Sequence, residues 1–236
     1  MDQAVGASLG VIMLDTTFAR PPGDVGHPAS WRCPVRFARV QGASPDRVIR
    51  HDAEGLIPDF VAAGRELIAA GCGAIITSCG FMARHQRTVA EELGVAFAAS
   101  SLLQLPMVAR SLGKGRVPGV LTYDASSLGP ENFLESGADA ATPFVGMPER
   151  GAFRSLIEGG ARYDAAALER EMLAAARDLV LRRPDVGAIV LECTNMPPFA
   201  QAVSKAFGLP VFDILTLGHW LFAATAPRRF EDERKV

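Results

Sequence analysis

The stretch Gly73-Ala-Ile-Ile-Thr-Ser-Cys79-Gly-Phe-Met-Ala83 decides the fold of this chain. A short apolar run that follows a glycine is typical of a buried strand, and here a cysteine follows it at the predicted start of a helix. An ungapped second copy lies later in the chain, at Gly187-Ala-Ile-Val-Leu-Glu-Cys193-Thr-Asn-Met-Pro197. Each half of the chain therefore places one thiol at the same structural position.

A second pair of matching segments supports a duplication. Gly10-Val-Ile-Met-Leu-Asp15 in the first half is mirrored by Gly119-Val-Leu-Thr-Tyr-Asp124 in the second, and a loop containing Ser or Thr follows each aspartate. Two matches in the same order predict two pseudo-symmetric halves. A solenoid would need more repeats of shorter length.

The spacing of apolar residues predicts strands that alternate with helices. Ala74 to Thr77 reads as a strand, Met82 to Leu93 as a helix and Val95 to Ala98 as the next strand. This alternation is typical of βαβ units, and it predicts an α/β protein with a mainly parallel sheet. In the second half it predicts a strand at 140–144, a long helix at 164–183, a last strand at 211–213 and a final helix at 214–224.

The composition limits the classes of function. The chain has 236 residues, of which 49% are hydrophobic and 21% charged, as expected of a folded protein. A formal net charge of −2 argues against nucleic-acid binding, because no basic block exists to neutralise phosphates. The N-terminus lacks the layout of a signal peptide, and no apolar run reaches membrane-spanning length. We therefore expect a cytoplasmic protein that does not bind membranes, with reduced cysteines.

The position of the two thiols indicates their chemistry. At the start of a helix the unpaired N–H groups and the helix dipole favour an anion, so we expect the pKa values of Cys79 and Cys193 to fall toward neutrality. The carboxyl ends of parallel strands are also where ligands bind. If the halves face each other, one thiolate can remove a proton from one face of a carbon acid while the other thiol returns a proton to the opposite face. That is the chemistry of a racemase or epimerase.

The sequence offers no sign of a cofactor or a metal. It contains no G-x-G-x-x-G and no Walker pattern, and none of its three lysines is placed like a Schiff-base residue. The cysteines form no C-x-x-C pair and no histidine cluster accompanies them. The predicted chemistry is therefore free of cofactor and metal.

With its two halves, each with a strand that ends in cysteine (Thr77-Ser-Cys79-Gly and Leu191-Glu-Cys193-Thr-Asn195), the chain resembles the aspartate/glutamate racemase superfamily. That superfamily also contains hydantoin racemases, maleate cis–trans isomerase and arylmalonate decarboxylase. The resemblance implies two pseudo-symmetric Rossmann-like lobes with parallel sheets of four to five strands and the active site in the cleft. The C-terminal strand and helix would complete the first lobe, residues 1–105 plus 210–236, and residues 106–209 would form the second.

The resemblance also implies which residues form the site. Cys79 and Cys193 would be the acid/base pair, and the loops at the strand ends would contact the substrate. These contact residues are Asp15, Thr16, Thr17, Ser78, Gly80, Thr122, Tyr123, Thr194 and Asn195. Outside these motifs, Arg20 is a candidate to bind a substrate carboxylate, and Glu192 is a candidate to shift the pKa of the neighbouring thiol.

The sequence therefore predicts an isomerase, a racemase or epimerase that acts on an amino acid or a related small carboxylate. Two alternatives stay open. One is a maleate-type cis–trans isomerase, or another carbon-acid enzyme of the same superfamily, in which one cysteine is a nucleophile. The other is a non-catalytic module that only binds a ligand. Gly80-Phe81 and Thr194-Asn195 depart from the residues usual in amino-acid racemases, which leaves the substrate undecided. Also open are the oligomeric state and whether the loop from Arg20 to Trp31 is a lid.

Overall fold

The computed structural model describes residues 8–225 together with Pro227, and within them the chain forms two four-stranded sheets. All strand pairs are parallel. The strands are β1 (Ser8–Met13), β2 (Val35–Arg39), β3 (Cys72–Thr77), β4 (Ala96–Ala98), β5 (Val117–Thr122), β6 (Phe144–Gly146), β7 (Val186–Leu191) and β8 (Val211–Phe212). The α-helices are α1 (Pro45–Ile49), α2 (Ile57–Ala69), α3 (Gln86–Leu93), α4 (Leu105–Ser111), α5 (Pro130–Glu135), α6 (Ala152–Ile157), α7 (Ala165–Arg182), α8 (Ala200–Phe207) and α9 (Ile214–Thr225).

The two sheets have the same construction, which confirms the predicted α/β fold with pseudo-symmetric halves. Their strand orders are β2-β1-β3-β4 and β6-β5-β7-β8. Even an irregularity is repeated: the register of β1 against β3 shifts between Ser8 and Leu9, and that of β5 against β7 shifts between Val117 and Pro118. The helices that come after β3 and β7 both end at a glycine in the left-handed conformation, Gly94 and Gly208.

The C-terminal segment joins the two lobes rather than completing only the first. Helix α9 packs against β1, β3 and β4, where Ile214 and Leu217 belong to the apolar cluster that includes Leu9, Val11 and Ile76. Strand β8, however, pairs with β7 in the second sheet. The prediction that the last strand completes the first lobe is therefore wrong. The exact lobe boundaries stay a prediction, and the parts of them in residues 1–7 and beyond Pro227 lie outside the described residues.

Local structure differs from the sequence prediction in a few places. Strand β6 begins at Phe144, whereas the predicted strand ended there, because residues 139–142 form a turn held by Asp139. The short helices α1 and α6 were not predicted. The helix after Cys79 starts as a 3-10 turn over Gly80–His85 before α3 begins. Within residues 8–225, no helix combines the length and the apolar character that crossing a bilayer requires.

Candidate active site between the two lobes

Both thiols lie just past the carboxyl end of a central strand and face a small shared pocket. Strand β3 ends two residues before Cys79, and β7 ends two residues before Cys193. Each thiol-bearing residue is only 7% exposed. Their pocket has a cavity volume of about 30 Å³, room for about one water molecule. All four cysteines of the chain are free.

The structure brings most of the predicted contact residues to this pocket, but not all of them. Asp15 and Thr17 line a larger outer pocket instead, and the Asp15 carboxylate accepts hydrogen bonds from the backbone of Gly42 and from Arg39. Thr122 is fully buried beneath the pocket. The predicted residues that line the thiol pocket are Thr16, Ser78, Cys79, Gly80, Tyr123, Cys193, Thr194 and Asn195.

Glu192 is a buried carboxyl group between the two thiol-bearing loops. Its side chain has no solvent exposure, and its Oε2 accepts hydrogen bonds from the Thr122 hydroxyl at 2.8 Å and from the Tyr123 N–H at 3.2 Å. Its Oε1 has no hydrogen-bond partner among the described residues. Burial raises the pKa of Glu192 to about 7, against the opposing effect of those two hydrogen bonds.

Gly80 makes this arrangement possible because it has no side chain. A Cβ atom at Gly80 would lie within 3.0 Å of the carboxyl group and of the backbone carbonyl of Glu192. The first lobe, through Gly80, therefore touches the second lobe at the residue that precedes Cys193. A further bond ties the loops together, since the Thr194 hydroxyl donates to the Ser78 carbonyl at 2.6 Å. The relative position of the two thiols is fixed by backbone contact.

The pKa values of both thiols move in the direction opposite to the one predicted from the sequence. Burial, followed by the negative charge of Glu192, raises the pKa of Cys79 to about 12, although the backbone N–H groups of Phe81 and Met82 act to lower it. Burial and Glu192 also raise the pKa of Cys193 well above its ordinary value. The expectation of values near neutrality is wrong because desolvation outweighs the N–H groups at the helix start.

The loop from Arg20 to Trp31 packs against the segment that follows the second thiol. It supplies Arg20, which the sequence indicated as a candidate, and Asp24, which it did not. Asp24 is 2% exposed, and its carboxylate accepts hydrogen bonds from Arg20 at 2.8 Å and from the Asn195 amide at 2.6 Å. Arg20 also donates to the Thr16 hydroxyl at 2.8 Å and lines the thiol pocket. The loop thus links the first strand of one lobe to the cysteine loop of the other.

A network of charged side chains bridges the lobes at the mouth of the pocket. Arg50, at the end of α1, donates to Glu158 at 2.6 Å, and Glu158 also accepts a hydrogen bond from the Tyr123 hydroxyl at 2.7 Å. Arg154 reaches Asp124 at 2.9 Å and stacks over the Tyr123 ring. These contacts raise the pKa of Arg50 and lower that of Glu158. Burial acts to raise the pKa of Asp124, but the hydrogen bonds from Ser126 and Arg154 lower it. They hold α1 and α6 against each other.

The thiol pocket adjoins a larger cavity that leads outward. This outer pocket has a volume of about 590 Å³. The two cavities share Thr16, Phe18, Pro45 and Ile157, so these side chains form the wall between them. Motif matching did not identify Phe18 or Ile157, because they belong to no motif and reach the site only through the fold. The Pro-rich loop after Phe18 was the one available signal.

Comparison with known proteins identifies the family of this chain. The chain is 30% identical over 225 residues to a dimethylsulfoniopropionate lyase from Durusdinium sp. clade D, a match that covers 89% of this chain and 72% of that protein. It belongs to the dimethylsulfoniopropionate lyase family. Dimethylsulfoniopropionate lyase 5 from Emiliania huxleyi is 28% identical over 242 residues, 95% of this chain but only 47% of that longer protein. No protein-family model matches the chain.

Solved structures confirm the fold that was expected from the racemase superfamily. A glycine-to-cysteine mutant of arylmalonate decarboxylase in a sulfate-associated form superposes with a TM-score of 0.63 at 17% identity, covering 92% of each chain. Aspartate racemase from Picrophilus torridus superposes with a TM-score of 0.52 at 16% identity, again over 92% of each chain. Identities this low show that the fold is shared and do not identify the reaction.

The prediction of an isomerase is wrong. The relatives at about 30% identity are named as lyases, whereas the racemases are similar only in fold. The error has a chemical cause, because a pair of thiols around a carbon acid serves any reaction that begins with removal of a proton. The fate of the resulting carbanion depends on the substrate, and the two cysteine motifs carry no information about it.

Proposed function

We propose that this protein is a lyase that cleaves dimethylsulfoniopropionate, or a closely related β-sulfonium carboxylate, by elimination. The observation that carries the proposal is the 30% identity to a dimethylsulfoniopropionate lyase over 89% of the chain. The geometry of the site supports it, because a pocket that receives one thiol from a strand end of each sheet suits the removal of a proton next to a carboxylate.

The reaction requires one base and no external reactant. A thiolate removes a proton from the carbon next to the carboxylate, and the electron pair of that C–H bond forms the new double bond. The bond between the β-carbon and sulfur breaks, and its electron pair leaves on sulfur as neutral dimethyl sulfide. Acrylate is the second product. The thiol has gained the proton, which passes to solvent before the next turnover.

The charges around the pocket match those of the substrate. Arg20 is the cationic side chain and Glu192 the acidic side chain among the described residues that line it, while dimethylsulfoniopropionate carries a carboxylate and a sulfonium. We assign Arg20 to the carboxylate, where it also stabilises the negative charge that develops there as the proton leaves. We assign the sulfonium to the part of the pocket that suits a methylated cation, which is lined by Glu192 and by the aromatic rings of Phe81 and Tyr123.

The high thiol pKa values are compatible with this reaction. A thiol with a raised pKa is a strong base once it is ionised, and a sulfonium bound beside it favours the thiolate by direct attraction. The positive charge of the substrate thus offsets the negative charge of Glu192, which raises the pKa of both thiols in the empty site. Ionisation of the base and binding of the substrate are coupled.

Substrate binding also requires the pocket to open. A cavity of about 30 Å³ is too small for dimethylsulfoniopropionate, whereas the outer pocket is large enough to admit it. Movement of Phe18 or Ile157 would join the two cavities. Closure behind the substrate would then exclude water from the carbanion-like transition state.

The experiment is to incubate the purified protein with dimethylsulfoniopropionate and measure dimethyl sulfide by headspace gas chromatography and acrylate by NMR. We expect equal amounts of both products. Of Cys79→Ser and Cys193→Ser, the variant that removes the base should lower the rate by about 10²-fold or more, and Cys33→Ser, at a thiol outside the pocket, should not. A folded wild-type protein that releases neither product from this substrate or from its β-sulfonium analogues would overturn the proposal.

A further inference from the structure

The two thiols are equivalent by duplication, but their surroundings are not. The connection from β1 to β2 contains the loop from Arg20 to Trp31, whereas the equivalent connection from β5 to β6 contains helix α5. This loop places the Asp24 carboxylate against the loop of Cys193, through Asn195, and holds the Arg20 side chain in the pocket near Cys79. The first half of the chain thus places a carboxylate on the Cys193 side and a guanidinium on the Cys79 side, although the two thiols occupy equivalent positions.

Asp24 fixes the orientation of a side-chain amide. Its Oδ1 accepts hydrogen bonds from Arg20 and from the Gly26 N–H, both at 2.8 Å, and its Oδ2 accepts from the Asn195 amide nitrogen at 2.6 Å. A carboxylate can only accept, so the NH₂ group of Asn195 must point toward Asp24. The amide oxygen then points in the other direction, where it lies 3.6 Å from the Cys193 sulfur.

This orientation determines which form of Cys193 is stabilised. An amide oxygen accepts a hydrogen bond from a thiol, but it repels a thiolate. A backbone N–H, that of Asn195, is the group acting in the opposite sense. The sulfur of Cys79 has a different environment, because two backbone N–H groups, those of Phe81 and Met82, favour its anion, and so does the charge of Arg20.

We propose that Asp24, acting through the amide of Asn195, keeps Cys193 as a thiol and leaves Cys79 as the thiol that ionises. Asp24 is a positioning residue, since it touches neither sulfur. The pKa of Cys193 is raised by burial, then by Glu192, by Cys79 and by Asp24, and Tyr123 also faces it. Glu192 raises the pKa of both thiols, so what distinguishes them is the loop with Arg20 and Asp24 together with the second backbone N–H group at Cys79.

This asymmetry has a chemical meaning. A racemase needs two thiols that exchange the roles of acid and base in the two directions of the reaction, whereas an elimination needs one base. A loop that keeps one thiol protonated is therefore suited to elimination. The inference concerns the protonation of the thiols in the free protein, so it can be tested whether or not the proposed substrate is correct.

The test measures the rate of iodoacetamide alkylation at each cysteine against pH, with the modified peptides quantified by mass spectrometry. In the wild-type protein we expect the reactivity of Cys79 to rise at lower pH than that of Cys193. In Asp24→Asn the Asn195 amide is free to turn its NH₂ group toward the sulfur. The midpoint of alkylation at Cys193 should then fall by about one pH unit or more, while the midpoint at Cys79 changes by less.

Two further variants keep the test decisive. Asn195→Ala removes the acceptor itself, so it should also lower the midpoint at Cys193, and it replaces Asp24→Asn if that variant does not fold. Asp185→Asn is the matched control, because it removes an aspartate that pairs with Arg183 at the surface, and it should move neither midpoint. The inference is overturned if Cys193 ionises before Cys79 in the wild type, if its midpoint is the same in both site variants as in the wild type, or if both thiols shift equally.

Discussion

Replacing Glu192 by glutamine should remove a pH dependence of stability that this single carboxyl group causes. The pKa of Glu192 is raised from 4.5 to about 7. Between these values the folded state keeps the proton while the unfolded state loses it, so the free energy of unfolding falls as the pH rises. Each pKa unit corresponds to about 1.4 kcal/mol. The wild-type protein should therefore lose about 3 kcal/mol between pH 4.5 and pH 7 through this group.

Glutamine at position 192 cannot ionise, but it keeps an oxygen that can accept from Thr122 and Tyr123. Urea unfolding at pH 5 and at pH 8 gives the free energy of unfolding for each protein. The loss of stability between the two pH values should be smaller in Glu192→Gln than in the wild type by roughly 2 to 3 kcal/mol. Other groups titrate in the same range, but their contribution cancels when the two differences are compared.

The matched control is Glu91→Gln on the exposed face of α3, which should show the same pH dependence as the wild type. If Glu192→Gln loses as much stability as the wild type over this range, the carboxyl group ionises normally. The description of Glu192 as a buried group with an unpartnered oxygen would then be refuted. Because Glu192 raises the pKa of both thiols, the same variant should also move the alkylation midpoints of Cys79 and Cys193 to lower pH.

Three further changes test the packing of the site. Gly80→Ala should lower the free energy of unfolding by about 1–3 kcal/mol and lower the activity, because the added Cβ meets the backbone of the facing loop. In the control Gly113→Ala the added Cβ meets nothing, so the loss should be less than about 1 kcal/mol. Equal losses in urea unfolding would contradict the close contact at Gly80. Phe18→Ala should lower the KM for substrates bulkier than dimethylsulfoniopropionate, because it removes part of the wall between the two cavities. Steady-state kinetics with homologues that carry larger sulfur substituents would measure this. An unchanged preference among substrates would show that Phe18 does not separate the cavities. Arg154→Met should cost about 3 kcal/mol, because it removes the nearest cation from the buried Asp124 and leaves Arg50 at 3.9 Å and the hydrogen bonds from Ser126. Arg50→Gln should cost less, about 1 kcal/mol, because its short ion pair with Glu158 is part-exposed. Urea unfolding that ranks the two variants in the reverse order would refute the reasoning.

The parts of the fold that could be predicted from the sequence are those fixed by local pattern. The matched segments around Cys79 and Cys193 predicted the parallel sheets and the equivalent positions of the thiols, because a buried strand and its carboxyl end are encoded by adjacent residues. Strand β8 was assigned to the wrong sheet because its two residues carry no signal for the partner strand. Which sheet it joins depends on packing across the whole chain.

The site was predicted less completely, for a related reason. Motif positions led to Thr16, Ser78 and Thr194. Phe18 reaches the pocket, and Asp24 reaches the pocket residue Asn195, only through the connection between β1 and β2, whose path depends on the tertiary fold. The thiol pKa values were wrong in sign because a sequence shows the start of a helix but not the depth of burial. Electrostatic effects of burial require coordinates, and here burial is the largest contribution.

The packing of α9 has a consequence for synthesis of the protein. This helix, near the end of the described chain, covers the face of the first sheet that carries Leu9, Val11 and Ile76. Until residues 214–225 have left the ribosome, that face has Val25 and Trp31 of the preceding loop against it but lacks the helix, although its strands were made first. The emerging chain therefore carries an apolar sheet surface through the synthesis of the whole second lobe, which is the stage at which chaperones would bind it and aggregation would compete with folding.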